Sequence, residues 1–141
     1  MELVVDANVL FSALVKDGKT AELLVEDGLV LCAPSRLLNE FESHKKEILD
    51  KTHRSPAEFE EALNIFKDRI FFVPTGVFLS SVAEAREVCP DAGDVEYFAL
   101  ALHKKIPIWT NDSQLKQQQR VIIITTNELV NIIYSKIYKH T

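Results

Sequence analysis

The chain has 141 residues, 47% hydrophobic and 26% charged, with a formal net charge of −5; this suits one globular domain over residues 1–141 and excludes a disordered chain. No apolar run approaches the roughly 20 residues of a membrane span, and Asp6 interrupts any signal-peptide core. No membrane partner is therefore expected, a cytoplasmic location is the default, and the acidic balance disfavours a broad electrostatic grip on nucleic acid unless part of that charge belongs to a metal site.

Leu3-Val4-Val5 reads as a short buried strand that is cut off by Asp6. Helical periodicity follows at once over residues 8–16, then Asp17 and Gly18 break it. Thr20 starts a second helix to about Asp27, with Gly28 as its stop. Residues 29–33 are a second strand, and Pro34 and Ser35 open a long helix to about Lys51 with Leu37, Leu38, Phe41, Ile48 and Leu49 inward. Ser55, Pro56 and Glu58 predict a capping box for a helix to about Asp68. Residues 70–73 are a third strand, residues 77–88 one helix, and residues 90–93 a loop. Asp94 opens a helix carrying Val95, Phe98, Ala99 and Leu102. Residues 106–109 and 121–124 are the fourth and fifth strands, and residues 125–128 cap a last helix with Leu129, Ile132, Ile133 and Ile137 inward. Five short strands alternating with helices predict an α/β three-layer sandwich, a mostly parallel sheet with helices on both faces.

Four acids stand out by topology. Asp6 follows the first strand directly, and Asp112 follows the fourth after two residues, which places both at the carboxyl edge of the sheet. Asp94 starts a helix between the third and fourth strands, and Glu40 lies beside Phe41 at the margin of an apolar stripe. Each has a plainer explanation taken alone: a cap for Asp6, a first-turn acid for Asp94, a turn residue for Asp112, a solvated position for Glu40. Together they would repel, by about 4 kcal/mol for a pair ~4 Å apart at an effective dielectric near 20, so a counter-ion is required. Oxygen ligands without His or Cys suit Mg²⁺ or Mn²⁺, and such ions suit phosphodiester hydrolysis. Asn8, Thr110 and Asn111 would then orient the carboxylates. Cys32 and Cys89 and the four histidines, His44, His53, His103 and His140, lack zinc-ligand spacing, and the cysteines read as reduced thiols. Phe11, Phe41, Tyr97 and Trp109 could stack on bases, but their patterns fit a core.

The strand with Asp6-Ala7-Asn8-Val9-Leu10, Glu40, the run from Asp94-Val95-Glu96-Tyr97 to Ala101, and Trp109-Thr110-Asn111-Asp112 together resemble the PIN-domain ribonuclease family. The resemblance covers essentially the whole chain. It implies a PIN-like fold with a five-stranded parallel sheet of order 3-2-1-4-5. It also implies a Mg²⁺- or Mn²⁺-dependent endoribonuclease with RNA as substrate, and Asp6, Glu40, Asp94 and Asp112 as metal ligands. Asp94 matches the third acid, because Ala99 and Ala101 follow at the expected offsets, and Asp91 is the alternative at the same helix start. Small members of the family are often toxins of toxin–antitoxin pairs, so the resemblance further implies an antitoxin partner and a homodimer.

Two other readings compete. One is a catalytically weak module of the same fold that binds RNA or protein, against which all four acids are present. The other is a phosphoacceptor receiver-like domain, which needs a Lys after a late strand; here Thr125-Thr126-Asn127 follows the fifth strand instead.

Overall fold

The structure, a computed structural model, describes residues 1–139, with side chains through Ser135. Ile137, expected on the inward face of the last helix, and His140 lie outside the described residues and side chains. The chain runs β1 (Glu2–Val5), α1 (Ala7–Val15), α2 (Lys19–Leu24), β2 (Val30–Pro34), α3 (Arg36–Lys51), α4 (Pro56–Arg69) and β3 (Ile70–Val73). It continues through α5 (Thr75–Phe78), α6 (Val82–Val88), α7 (Val95–Lys104), β4 (Ile108–Trp109), β5 (Ile123–Ile124) and α8 (Thr126–Lys139).

The five strands form one parallel sheet in the order β3-β2-β1-β4-β5. β1 is central, with Leu3 opposite Leu31 on one side and Val5 opposite Trp109 on the other. Leu3, Val4 and Val5 are all fully buried. Successive strand residues point to opposite faces, so both faces of the sheet are covered. α7 packs on β1, β2 and β4, while α1 packs on α2, α3 and α4. The parallel arrangement brings the ends of β1 and β4 to one edge: Asp6 N–H donates to the Trp109 carbonyl at 3.0 Å.

The capping box of α4 is formed: the Ser55 hydroxyl accepts from the Glu58 N–H at 3.2 Å, and the Glu58 carboxylate accepts from the Ser55 N–H at 3.1 Å. Other boundaries differ from the sequence expectation. Pro34 does not open a helix; it is the last residue of β2, paired with Val73, where a strand end tolerates the missing N–H. α2 stops at Leu24 rather than near Asp27. The Arg69 guanidinium donates to the Leu24 and Glu26 carbonyls at 3.1 and 2.6 Å and satisfies the chain there, so Gly28 is not the helix stop.

The helix expected over residues 77–88 is broken. α5 ends at Phe78, a 3₁₀ turn spans Leu79–Ser81, and α6 begins at Val82. Ser80 and Ser81 are weak helix formers, and the tighter turn still lets Phe78 and Ala85 reach the core. β4 and β5 are two residues each: Pro107 lies before β4, its carbonyl accepting from Val4 N–H at 2.9 Å, and Ile122 is exposed. Leu49 is also exposed and Leu38 half-buried, which narrows the inward stripe of α3 to Leu37, Phe41 and Ile48.

Candidate active site

Asp6 is the centre of a hydrogen-bonded joint between β1 and β4. Its backbone is still extended, and its side chain caps α1, Oδ1 accepting from the Ala7 N–H at 2.8 Å. Oδ2 accepts from the Thr110 hydroxyl at 2.7 Å and from the Asn8 side-chain amide at 3.1 Å. The Thr110 hydroxyl in turn accepts from the Asp112 N–H at 3.0 Å. Asn8 Oδ1 accepts from the Asn111 N–H at 3.1 Å. Asp6 is 6% exposed and Thr110 is fully buried, and aromatics apart they are the two buried polar side chains among the described residues. Asp6 is therefore both a cap and the core of the joint. Burial raises its pKa, against the bonds from Thr110 and Ala7 that lower it, and the charge of Asp112 raises it further.

Asp94 sits where a 3₁₀ turn (Ala92–Asp94) meets α7. Its carboxylate accepts no hydrogen bond among the described residues. Burial and then the charges of Asp6, Asp91, Asp112 and Glu40 push its pKa up to about 7. Asp6, Asp91, Asp112 and Glu40 are therefore all near enough for their charges to act on Asp94. Asp91 is exposed and caps the turn, Oδ1 accepting from the Gly93 N–H at 2.9 Å. Asp112 does the same for a 3₁₀ turn at Ser113–Gln117, accepting from the Gln114 N–H at 3.0 Å.

Glu40 reaches the cleft from α3. Arg36, one turn earlier, places Nε 3.2 Å from Glu40 Oε1, and the Tyr97 hydroxyl donates to the same oxygen at 3.2 Å. Burial still raises the Glu40 pKa, against Arg36 and Tyr97, with Asp6 adding to the rise. Arg36 also lies 3.6 Å from Glu96, whose other oxygen accepts from the Thr75 hydroxyl at 2.7 Å. Arg36 and Glu96 did not stand out in the sequence, and Tyr97 stood out only as a core aromatic. The i,i+4 spacing of Arg36 and Glu40 is the signal that points to the first of them.

The donor chemistry fits a hard divalent cation: carboxylate oxygens, mutually repelling, with one carboxyl held half-protonated near neutrality. Asp6, Glu40, Asp94 and Asp112 are the residues that would hold it. Among the described residues no group of three or more His, Cys, Asp or Glu side chains has the arrangement that holds a metal ion, and Glu40 is engaged by Arg36 instead. Phe41, Tyr97 and Trp109 are buried and cannot stack on a base, while Phe11 is half-buried, its ring 5.4 Å from that of His44. Several cations are spent in ion pairs: Lys104 with Glu2, Lys116 with Glu128, Arg120 with Glu84.

The chain is similar in fold to a chain in the crystal structure of VapBC2 from Rickettsia felis bound to a DNA fragment from their promoter. The TM-score is 0.62 at 16% sequence identity, covering 89% of this chain and 98% of that one. No curated protein matches the chain by sequence. The family described as PIN domain matches residues 4–132, a span that takes in Asp6, Glu40, Asp94 and Asp112, the second half of β1 and all of β2 to β5. With that match over nearly its whole length and a sheet in the order β3-β2-β1-β4-β5, the chain belongs to the PIN-domain family.

Proposed function

We propose that this PIN domain is a metal-dependent endoribonuclease, a single catalytic domain over residues 1–141 that uses Mg²⁺ or Mn²⁺ at Asp6, Glu40, Asp94 and Asp112. The observation that carries the reading is Asp94: a half-buried carboxylate without a hydrogen-bond partner among the described residues, its pKa raised to about 7 first by burial and then by the charges of Asp6, Asp91, Asp112 and Glu40. Such a group is costly in a fold unless a cation is to be bound there. When bound, the ion would polarise the scissile phosphodiester and make water a competent nucleophile near neutral pH.

The chain's own residues divide the remaining work. Thr110 and Asn8 fix Asp6 in one orientation. Arg36 and Tyr97 hold Glu40 at the margin of the cleft until substrate and metal arrive. A bound metal would take Asp94 in its deprotonated form, and Asp91 and Asp112 keep turn geometry while adding negative field. We infer in addition a role as the toxin of a toxin–antitoxin pair, with an antitoxin protein as partner; the likeness to a chain of VapBC2 supports the pairing, while the cytoplasm and a homodimer remain expectations from the family resemblance.

A second reading has its own observation. Glu40 is paired to Arg36 and no three-ligand arrangement is formed among the described residues, which suits a catalytically weak module that binds RNA or protein. Cleavage of a mixed-sequence single-stranded RNA with Mn²⁺, Mg²⁺ or EDTA separates the two. The nuclease reading expects metal-dependent cutting that disappears in Asp94→Asn. RNA binding without cutting under any metal would favour the module.

A further inference from the structure

We propose that the cleft beside Asn111, between Lys16 and Lys19 on one wall and Thr126 on the other, holds a backbone phosphate of the RNA strand next to the phosphate being cut. The proposal rests on the ribonuclease reading and adds to it a subsite for the substrate. The cleft has a volume of about 560 Å³ and lies where the loop from α1 to α2 faces the exits of β4 and β5.

Its connection to the acids is direct. Asn111 lines the cleft, its N–H is bonded by Asn8, and its side-chain oxygen accepts from the Thr126 hydroxyl. Asn8 in turn donates to Asp6. A strand passing over the carboxylates thus meets this cleft as its next polar surface.

Its charge is unspent. Lys16 and Lys19 are exposed, and neither makes an ion pair among the described residues. Lys51, Lys104, Lys116, Arg36 and Arg120 all do. The acid in the lining, Asp17, has its carboxylate 4.0 Å from the Arg54 guanidinium. Lys16 and Lys19 are thus unpaired cations of a chain of net charge −5, and they line a cleft that Asn111 and Asn8 connect to Asp6. Ser12 and Thr20 on the walls carry hydroxyls that complete the donor set that phosphate oxygens take, while the Thr126 hydroxyl is already donated to Asn111. An apolar or base-stacking ligand has no partner here, because the lining carries no aromatic residue.

The test is fluorescence anisotropy of a short labelled single-stranded RNA in EDTA, so that binding is read without cleavage. Lys16→Gln with Lys19→Gln is expected to weaken binding about tenfold at low salt and to flatten the dependence of log Kd on log salt by about 0.7, the loss of one neutralised phosphate on a single strand. Restoring charge as Lys16→Arg with Lys19→Arg is expected to return both. Lys104→Gln with Lys105→Gln makes the same charge change at the amino edge of the sheet, where Lys104 pairs with Glu2, and should leave the salt slope unchanged. A Gln pair that binds like the wild type, or an equal loss in the amino-edge pair, overturns the subsite, as does a wild type that binds no RNA. Cleavage with Mn²⁺ separates the two readings. Lysine-dependent binding without cutting keeps the cleft and removes the nuclease; cutting with a KM indifferent to both lysines keeps the nuclease and removes the cleft.

Discussion

Asp6 and Asp94 face one cleft, yet Asp6 accepts three hydrogen bonds and Asp94 none. The Asp6 side is a rigid joint in which carboxylate, hydroxyl, amide and backbone groups satisfy one another. The Asp94 side is a bare carboxyl whose pKa is set by burial and repulsion. The contrast separates two jobs that a shared negative charge would conceal: one acid fixes geometry and the other keeps its lone pairs free for a ligand.

Asn substitution is the sharpest way to break the comparison on activity. Asp6→Asn and Asp94→Asn should each lower metal-dependent RNA cleavage at pH 7.5 by more than the roughly 10–100-fold typical of losing an outer partner of a metal ligand. Single-turnover assays check this, and wild-type rates in either variant would remove that acid from the site. Thr110→Val comes next. It leaves Asp6 Oδ2 short of a donor and the Asp112 N–H without an acceptor, costing about 1–3 kcal/mol in urea unfolding. Cleavage should fall about 10–100-fold.

On stability the two acids should part. Asp94→Asn removes repulsion and no hydrogen bond, so in EDTA at pH 8 it should gain about 1 kcal/mol, roughly 3 °C in Tm. Asp6→Asn has to place an amide where Oδ1 or Oδ2 accepts, and should gain nothing or lose. Equal gains in both would mean that the joint contributes no more than charge.

The pH dependence follows from the raised Asp94 pKa. The native state holds the Asp94 proton up to about pH 7, whereas the unfolded chain releases it near the ordinary aspartate value of 3.8. Between those values the native state binds more protons, so this group's contribution to stability is full below pH 3.8, falls as pH rises, and levels off above about 7. Mn²⁺ must displace the proton, so it should raise Tm more at pH 8 than at pH 6 in the wild type, with the difference lost in Asp94→Asn. The smallest effect is expected for Tyr97→Phe, which removes one bond to Glu40 while Arg36 remains: a stability loss of about 1 kcal/mol and less than tenfold in cleavage.

The strand order came from the resemblance to the PIN-domain family, whereas the edge to which Asp6 and Asp112 belong was legible in the residues themselves, because a short apolar run ending in an acid marks both a strand and its exit. The break at residues 79–81 was not, since Phe78, Val82 and Ala85 keep a helical spacing across it. Pro34 misled because its place at the end of β2 depends on Val73, a neighbour in space. In the candidate site, the cap role of Asp6 was readable locally. The pairing of Glu40 with Tyr97 spans 57 residues and the joint from Asp6 to Thr110 spans 104, so neither leaves a trace in any short window.

That last separation bears on how the protein is made. Thr110 is synthesised 104 residues after Asp6. β1, the middle strand, waits for its β4 partner for the same interval. A nascent chain or premature termination product that stops before Thr110 therefore lacks the closed joint, and whatever chemistry the cleft performs waits for that joint.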